Sequence, residues 1–253
     1  MSSLQPTIDL NCDMGELPQS LADGTEEALM QQISSANIAC GAHAGSAESM
    51  QALVKLARRY GVAVGAHISY PDRTNFGRKE MQMSAEEIEE AAHSQISTLA
   101  QIAASLGVRL NHVKPHGALY HVAQKNEPIA LAIARAARRV DKKLVLVEQA
   151  SSPVLAFWSK EGYPNIAEAF ADRKYESDGR LRSRELGGAL ITDSSVAAEQ
   201  AVRIAREHIV IAGDGSRLHL KADTICVHGD TPGAVENARA IKIALAKAGI
   251  ALR

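Results

Sequence analysis

The segment 111–120 (NHVKPHGALY) carries titratable side chains at alternate positions, with His112, Lys114 and His116 two residues apart. In an extended strand alternate residues point to the same side, so we expect two imidazoles and one ammonium on a single face. Pro115 cannot donate a hydrogen bond to a neighbouring strand, so pairing should end near it. Such a strand end is typical of active sites in α/β enzymes, and the alternative is a strand whose end is merely solvated.

Similar polar tails follow most of the other apolar segments. Strands are predicted at about residues 7–12, 36–40, 62–66, 109–114, 143–147, 165–170 and 224–228. Helical patterns lie between nearly all of them, including a long helix behind the capping box at 84–87 and a helix predicted over 195–211. This alternation predicts a parallel sheet with right-handed crossovers, and the 253 residues fit one domain over 1–253.

An open doubly wound sheet and a closed barrel give the same alternation of strands and helices. In an open sheet the polar tails would cluster at one switch point, whereas here they follow almost every strand. We therefore favour the closed α/β barrel. The tails that would meet at its carboxyl-terminal mouth are Asp13, His43, His67, Lys114, His116, Glu148, Asp172, Arg173, His228 and Asp230.

Three of these tails form a candidate metal site. Asp13, His43 and His67 follow the first three predicted strands, so they could converge. One carboxylate and two imidazoles suit a divalent metal and leave positions open for water or substrate. The alternative is that both histidines only hydrogen-bond to loop backbone.

Two further features could bind an anion. The loop 41–46 has glycines at Gly41 and Gly45 and enters a helix, so its N–H groups could hold a carboxylate or phosphate, or it could be only a tight turn. Lys114 could stabilise an oxyanion, act as a base with a lowered pKa, or pair with Asp172 or Asp230.

Composition excludes several functions. Lys plus Arg is 28 against 29 for Asp plus Glu, and aromatic residues are 4%, so we expect no nucleic-acid binding. The sequence has no signal peptide and no apolar run near the roughly 18 residues of a membrane helix, which predicts a cytoplasmic protein without membrane contact. Cys12, Cys40 and Cys226 are widely spaced, so we expect neither a disulfide framework nor a thiolate zinc site. Cys40 and Cys226 are expected to be small buried residues, and no thiol nucleophile is predicted.

Several known motifs are absent from the sequence: a P-loop, a glycine-rich dinucleotide fingerprint and a G-x-S-x-G elbow. A nucleotide would therefore bind by other means or on another subunit.

Six segments resemble the LamB/YcsF family. The opening motif DLNCDMGE at 9–16 is joined by 37–45, 65–72, 112–120, 168–175 and 227–230, so the resemblance runs from about Thr7 to Gly249. It implies a distorted seven-stranded parallel β/α barrel of the glycoside hydrolase and deacetylase type. It also implies hydrolysis of 5-oxo-L-proline to L-glutamate, driven by ATP with Mg²⁺, together with partner subunits B and C. In deacetylases of this fold, metal ligands at the strand ends correspond in kind to Asp13, His43 and His67.

This chemistry suggests roles for the strand tails. Opening a lactam needs an activated carbonyl, which an acyl-phosphate-like or imidate phosphate intermediate would supply, and an activated water. We expect Lys114 and the amides of 41–46 to neutralise the substrate carboxylate or phosphate, and His116 or Asp13 to activate water. The residues expected to bind substrate are Asn11, Gly41, His43, Gly45, Asp172, Arg173, His228 and Asp230.

Two other classes of function stay open. One is an ATP-independent, metal-dependent deacetylase or amidohydrolase. The other is a substrate-binding regulatory subunit. The oligomeric state also stays open, a homo-oligomer included.

Overall fold

The structure is a computed structural model, and it describes residues 5–184 and 186–253. Its strands are β1 (Thr7–Met14), β2 (Ser35–Ala39), β3 (Ala63–Ile68), β4 (Leu110–Pro115), β5 (Val145–Gln149), β6 (Asn165–Phe170), β7 (Ile209–Ile211), β8 (Arg217–His219), β9 (Thr224–His228) and β10 (Ala251–Leu252). Seven of them pair in parallel in the order β1-β2-β3-β4-β5-β6-β9, and β9 pairs with β1. This closed ring confirms the predicted barrel, and each predicted strand matches a barrel strand to within two residues at either end.

Helices connect the strands. They are α1 (Thr25–Met30), α2 (Ala47–Tyr60), α3 (Ala85–Ser105), α4 (Gly117–Ala123), α5 (Glu127–Val140), α6 (Val154–Lys160), α7 (Ser194–Glu207) and α8 (Ala234–Lys247). Ser46 and Ser84 each form a capping box with the residue three positions later, and α2 ends at Gly61 in the left-handed conformation. These local signals fix where the chain turns from strand to helix.

Part of the predicted secondary structure was wrong. The helix expected over 195–211 ends at Glu207, where His208 has a φ of 57°. Ile209–Ile211 then pairs with β8 as an antiparallel hairpin, because three consecutive β-branched residues favour an extended chain. The short elements α4 and β10 were not predicted, since seven and two residues are too few to show a periodic pattern.

The interior of the barrel is unusually polar. His112 donates to Asn37 Oδ1 (2.7 Å), and Asn37 Nδ2 donates to Asn11 Oδ1 (2.7 Å) and Asp13 Oδ1 (2.8 Å). Asn11 Nδ2 donates in turn to Glu168 (3.0 Å). This network passes from the inside of the barrel to its mouth, so the orientation of the mouth residues depends on layers below them. It also confirms that His112 and Lys114 enter the barrel from one face of β4.

Candidate active site at the barrel mouth

A cavity of about 850 Å³ opens at the carboxyl-terminal mouth of the barrel. Its wall includes these residues predicted from the strand tails: Asp13, His67, Lys114, His116, Arg173, His228 and Asp230. His43 lies just behind the wall against Glu16. Asn11 lies deeper in the barrel, in a second polar cavity of about 260 Å³ at the opposite end. Most of the strand tails therefore converge as expected, whereas Glu148 and Asp172 are fully buried and lie outside the cavity wall.

Four buried side chains at the mouth form a compact cluster: Glu16, His43, His67 and His116. Glu16 Oε1 lies 3.1 Å from His43 Nε2, 3.0 Å from His116 Nδ1 and 3.5 Å from His67 Nε2. The two nitrogens His116 Nδ1 and His67 Nε2 are 3.0 Å apart. Four ligand atoms so close together could hold one metal ion.

The hydrogen bonds of the ring nitrogens that face away from the cluster indicate how two of its imidazoles could ligate a metal. His67 Nδ1 lies 3.1 Å from the Lys114 carbonyl oxygen, and His116 Nε2 lies 3.0 Å from that of Phe76. A carbonyl only accepts hydrogen bonds, so both of these nitrogens carry a proton. In the neutral form of each ring, the other nitrogen then directs a lone pair at the facing ring. Two facing lone pairs need a cation or a proton between them, and a divalent metal with imidazole ligands meets that need.

The charges around the cluster also favour a cation at this position. Burial would lower the pKa of His67, but the carboxylates of Asp13 and Glu16 outweigh it and raise that pKa. Burial lowers the pKa of His43 to about 4, against the opposing effect of Glu16. His43 is therefore neutral at physiological pH, the form that ligates a metal, while the site as a whole favours positive charge.

Glu16 and His116 belong to the cluster but were not among the predicted metal ligands, which were Asp13, His43 and His67. Asp13 borders the cluster, with Oδ2 3.4 Å from His67 Nε2, while its Oδ1 accepts from Lys114 and Asn37. Glu16 reaches the cluster because the chain turns at Gly15, which has a φ of 78° and whose N–H donates to Glu26 (2.8 Å). In the sequence, the polar residues that follow β1 were the signal that could have indicated Glu16. Ligation by Asp13 stays a prediction.

Lys114 is buried and fully occupied. Its Nζ lies 2.8 Å from Asp13 Oδ1, 2.8 Å from Glu168 Oε1 and 3.1 Å from Cys226 Sγ. Burial alone would lower the pKa of Lys114, but Asp13 and the other nearby groups raise it well above its ordinary value. The idea of a base with a lowered pKa was therefore wrong. The ion-pair partners are Asp13 and Glu168 rather than Asp172 or Asp230.

The two expected partners of Lys114 are engaged elsewhere. Asp172 accepts from the backbone N–H of His228 (2.8 Å) and lies 3.0 Å from its Nδ1. Asp230 bridges Arg78 (2.5 Å) and Arg184 (3.1 Å) across the rim of the cavity. Both carboxylates thus shape the wall on the side of β6 and β9.

The loop 41–46 is a tight turn that delivers His43. Gly41 N–H donates to the Ala44 carbonyl (2.8 Å), and Arg73 donates to the carbonyls of Gly41 and Gly45 (2.8 and 3.0 Å). A Cβ on Gly45 would lie 2.6 Å from the Ala39 carbonyl oxygen, so only glycine fits there. Anion binding by Gly41 and Gly45 stays a prediction.

Fold and site together define a parallel β/α barrel with a metal-capable carboxylate and histidine cluster at its carboxyl-terminal mouth. Residues 8–253 match the model of the LamB/YcsF family, and the chain belongs to that family.

Relatives of known name support this assignment. The chain is 50% identical to the A subunit of 5-oxoprolinase from Chloroflexus aggregans over 98% of each chain, and 44% identical to that from Bordetella pertussis over 99% of each. A solved lactam utilization protein from Thermus thermophilus is 41% identical, with a TM-score of 0.90 over 98% of this chain and 99% of that one.

A more distant solved structure shares only the fold. The family 4 carbohydrate esterase from Streptomyces lividans is 14% identical, with a TM-score of 0.51 over 99% of this chain and 93% of that one. Among the helices of residues 5–184 and 186–253, none has the length and apolar character to span a membrane.

Proposed function

We propose that this chain is the A subunit of an ATP-dependent 5-oxoprolinase and opens the lactam ring of 5-oxo-L-proline to give L-glutamate. The main support is a barrel-mouth cavity with a buried Glu16–histidine cluster in a chain 44–50% identical to proteins of that name. The water oxygen adds to the lactam carbonyl carbon, the C–N bond breaks, and the ring nitrogen takes a proton to become the amino group.

Because a lactam carbonyl is poorly reactive, we propose that the complex activates it at the expense of ATP. Transfer of a phosphoryl group from Mg²⁺-ATP to the carbonyl oxygen would leave ADP, and the phosphate would depart after water attack. The sequence has no P-loop, so we place ATP binding with the partner subunits B and C. An ATP-consuming reaction of this kind also fits the cytoplasm.

The residues of the cluster fit a divalent metal. Glu16, His43, His67 and His116 would hold it, and the bound metal would polarise the substrate carbonyl and lower the pKa of a water molecule. His116 donates from Nε2 to Phe76 and faces the cluster with Nδ1, so a metal-bound His116 has no lone pair left for water. We therefore assign water activation to Asp13, which lines the cavity beside the cluster.

Glutamate release from 5-oxo-L-proline with Mg²⁺-ATP tests the function. Turnover by the chain mixed with subunits B and C, and loss of that turnover in Asp13→Asn, would support it. An assembled but inactive mixture would contradict it. Chelator-sensitive amide or ester hydrolysis without ATP would instead favour the second candidate, a metal-dependent deacetylase or amidohydrolase, which the same cluster would also suit.

Metal content is a separate test. The wild-type chain should bind about one equivalent of a divalent metal, while Glu16→Gln and His116→Ala should lose most of it. His219→Ala, at an exposed position of β8, is the matched control and should keep it. A wild-type chain that takes up no metal from Zn²⁺, Mn²⁺ or Co²⁺ would contradict the assignment.

A further inference from the structure

Arg173 is a buried cation on the cavity wall, on the far side from the histidine cluster. It follows β6, which lies across the seven-stranded ring from β3 and its His67. Its residue surface is only 4% exposed, yet its side chain lines the cavity. One terminal nitrogen donates to the Arg182 carbonyl oxygen (2.6 Å), while Nε is buried and has no hydrogen-bond partner in the described part of the chain.

The neighbouring carboxylates have other hydrogen-bond or ion-pair partners, and the charge of Asp172 opposes but does not outweigh the effect of burial on Arg173. Asp172 is engaged with His228, and Asp230 is shared between Arg78 and Arg184. Glu176 pairs with Arg182 (2.9 Å). Within residues 5–184 and 186–253, no carboxylate forms an ion pair with Arg173, although buried guanidinium groups are normally paired.

Burying the charge of Arg173 is unfavourable, and hydrogen bonds to the backbone around it hold the residue in position. Gln200 of α7 donates to the carbonyl oxygens of Phe170 and Arg173, both at 2.8 Å. Lys174 N–H donates to the Ala189 carbonyl (2.9 Å). Burial, together with the charge of Arg184 and against the opposing charge of Asp172, lowers the pKa of Arg173 to about 10. The side chains of Arg173 and Arg184 both line the cavity.

We infer that Arg173, assisted by Arg184, forms an oxyanion-binding subsite of the cavity. The inference rests on the proposed function for its ligand, because 5-oxo-L-proline carries a carboxylate besides the lactam carbonyl. A guanidinium fork binds a carboxylate or a phosphoryl group through paired N–H donors. With the carboxylate at Arg173, the lactam ring extends toward the cluster of β1–β4, and lactams without an acidic group are rejected.

Binding to the full chain, alone and with subunits B and C, tests the subsite. The probes are 5-oxo-L-proline, 2-pyrrolidinone (the same lactam without the carboxylate) and inorganic phosphate, measured by calorimetry. The variants are Arg173→Gln and Arg173→Lys, and the control is Arg217→Gln, whose side chain is 63% exposed and pairs with Glu207. Arg184→Gln is included because its side chain, 27% exposed, tolerates replacement better than that of Arg173.

Wild type and Arg217→Gln should prefer 5-oxo-L-proline over 2-pyrrolidinone by at least about tenfold, since a charged hydrogen-bonded pair is lost with the carboxylate. Arg173→Gln should lose this preference with unchanged affinity for 2-pyrrolidinone, which also shows that the cavity is intact. Arg173→Lys should be intermediate, because it keeps the charge without the fork. Arg184→Gln should weaken binding severalfold.

The phosphate probe identifies the source of the oxyanion. Arg173-dependent phosphate binding without any preference between the two lactams would assign the subsite to a phosphoryl group. If Arg173→Gln and Arg184→Gln keep the wild-type affinities for both oxyanions, or wild type binds neither, the inference is overturned. Arg173-dependent binding in a complex that releases no glutamate would refute the proposed function and leave the subsite standing.

Discussion

Removing the Lys114 ammonium should destabilise the fold by a large and specific amount. In Lys114→Met the side chain keeps most of its volume, but Asp13 and Glu168 lose a cation 2.8 Å from each carboxylate. Both carboxylates are at most 5% exposed, so water cannot replace the lost partner. Breaking a buried ion pair from one side costs about 3–5 kcal/mol. That is a large share of a total stability of about 5–15 kcal/mol.

Urea denaturation at pH 7, followed by circular dichroism, measures this cost. Lys55→Met, at an exposed position of α2, is the control and should change the free energy of unfolding by less than about 0.5 kcal/mol. Adding Glu168→Gln to Lys114→Met should recover part of the loss, because one of the two unpaired charges is then removed. A Lys114→Met variant within about 1 kcal/mol of wild type would refute the buried pairing, since even a weak buried ion pair costs more than that to break.

Two other predictions concern the barrel interior. A Cβ on Gly65 would lie 2.0 Å from His112 Nε2, so Gly65→Ala should displace the ring and cost about 1–3 kcal/mol in urea denaturation, whereas Gly187→Ala, in open space, should be neutral. Burial raises the pKa of Glu148 to about 8 from an ordinary 4.5. Between those pH values the folded chain holds a proton that the unfolded chain releases, so stability should fall as pH rises, by up to about 1.4 kcal/mol per pH unit. Glu148→Gln should flatten that slope, and an unchanged slope would contradict the raised pKa of Glu148.

The barrel was predictable because its signals are local. Short apolar runs, caps such as Ser46 and the terminating Gly61 each mark a boundary within a few residues. Alternation of strands and helices then restricts the topology, and polar tails after most strands indicate where the mouth lies. The wrong helix boundary also reflects a local signal: no glycine or proline marks the end of the helix at Glu207, and the apolar run 209–211 follows it directly.

The composition of the site was only partly predictable, because it depends on contacts between strands. Neither Glu16 as a fourth member of the cluster nor Glu168 as a partner of Lys114 follows from any spacing along the chain. Both depend on how far a side chain reaches across the barrel and on what already occupies the interior. Asn11 donates directly to Glu168 and is linked to Asp13 through Asn37, and substrate binding by Asn11 stays a prediction.

The carbonyl that orients His116 shows why sequence patterns could not predict the detailed geometry of the site. Phe76 has a φ of 56°, a left-handed conformation that costs a non-glycine residue about 1–2 kcal/mol. The turn is held by a hydrogen bond from Gly77 N–H to the Asp72 carbonyl (2.8 Å), and Arg78 lies 4.8 Å from the Phe76 ring. Strain at such a residue persists only when its surroundings enforce it. Here it directs the Phe76 carbonyl at His116 Nε2, which fixes the proton there and leaves Nδ1 to face the cluster. The turn formers of residues 69–79 indicate a loop, but the direction of one carbonyl, on which the orientation of His116 depends, is decided by packing.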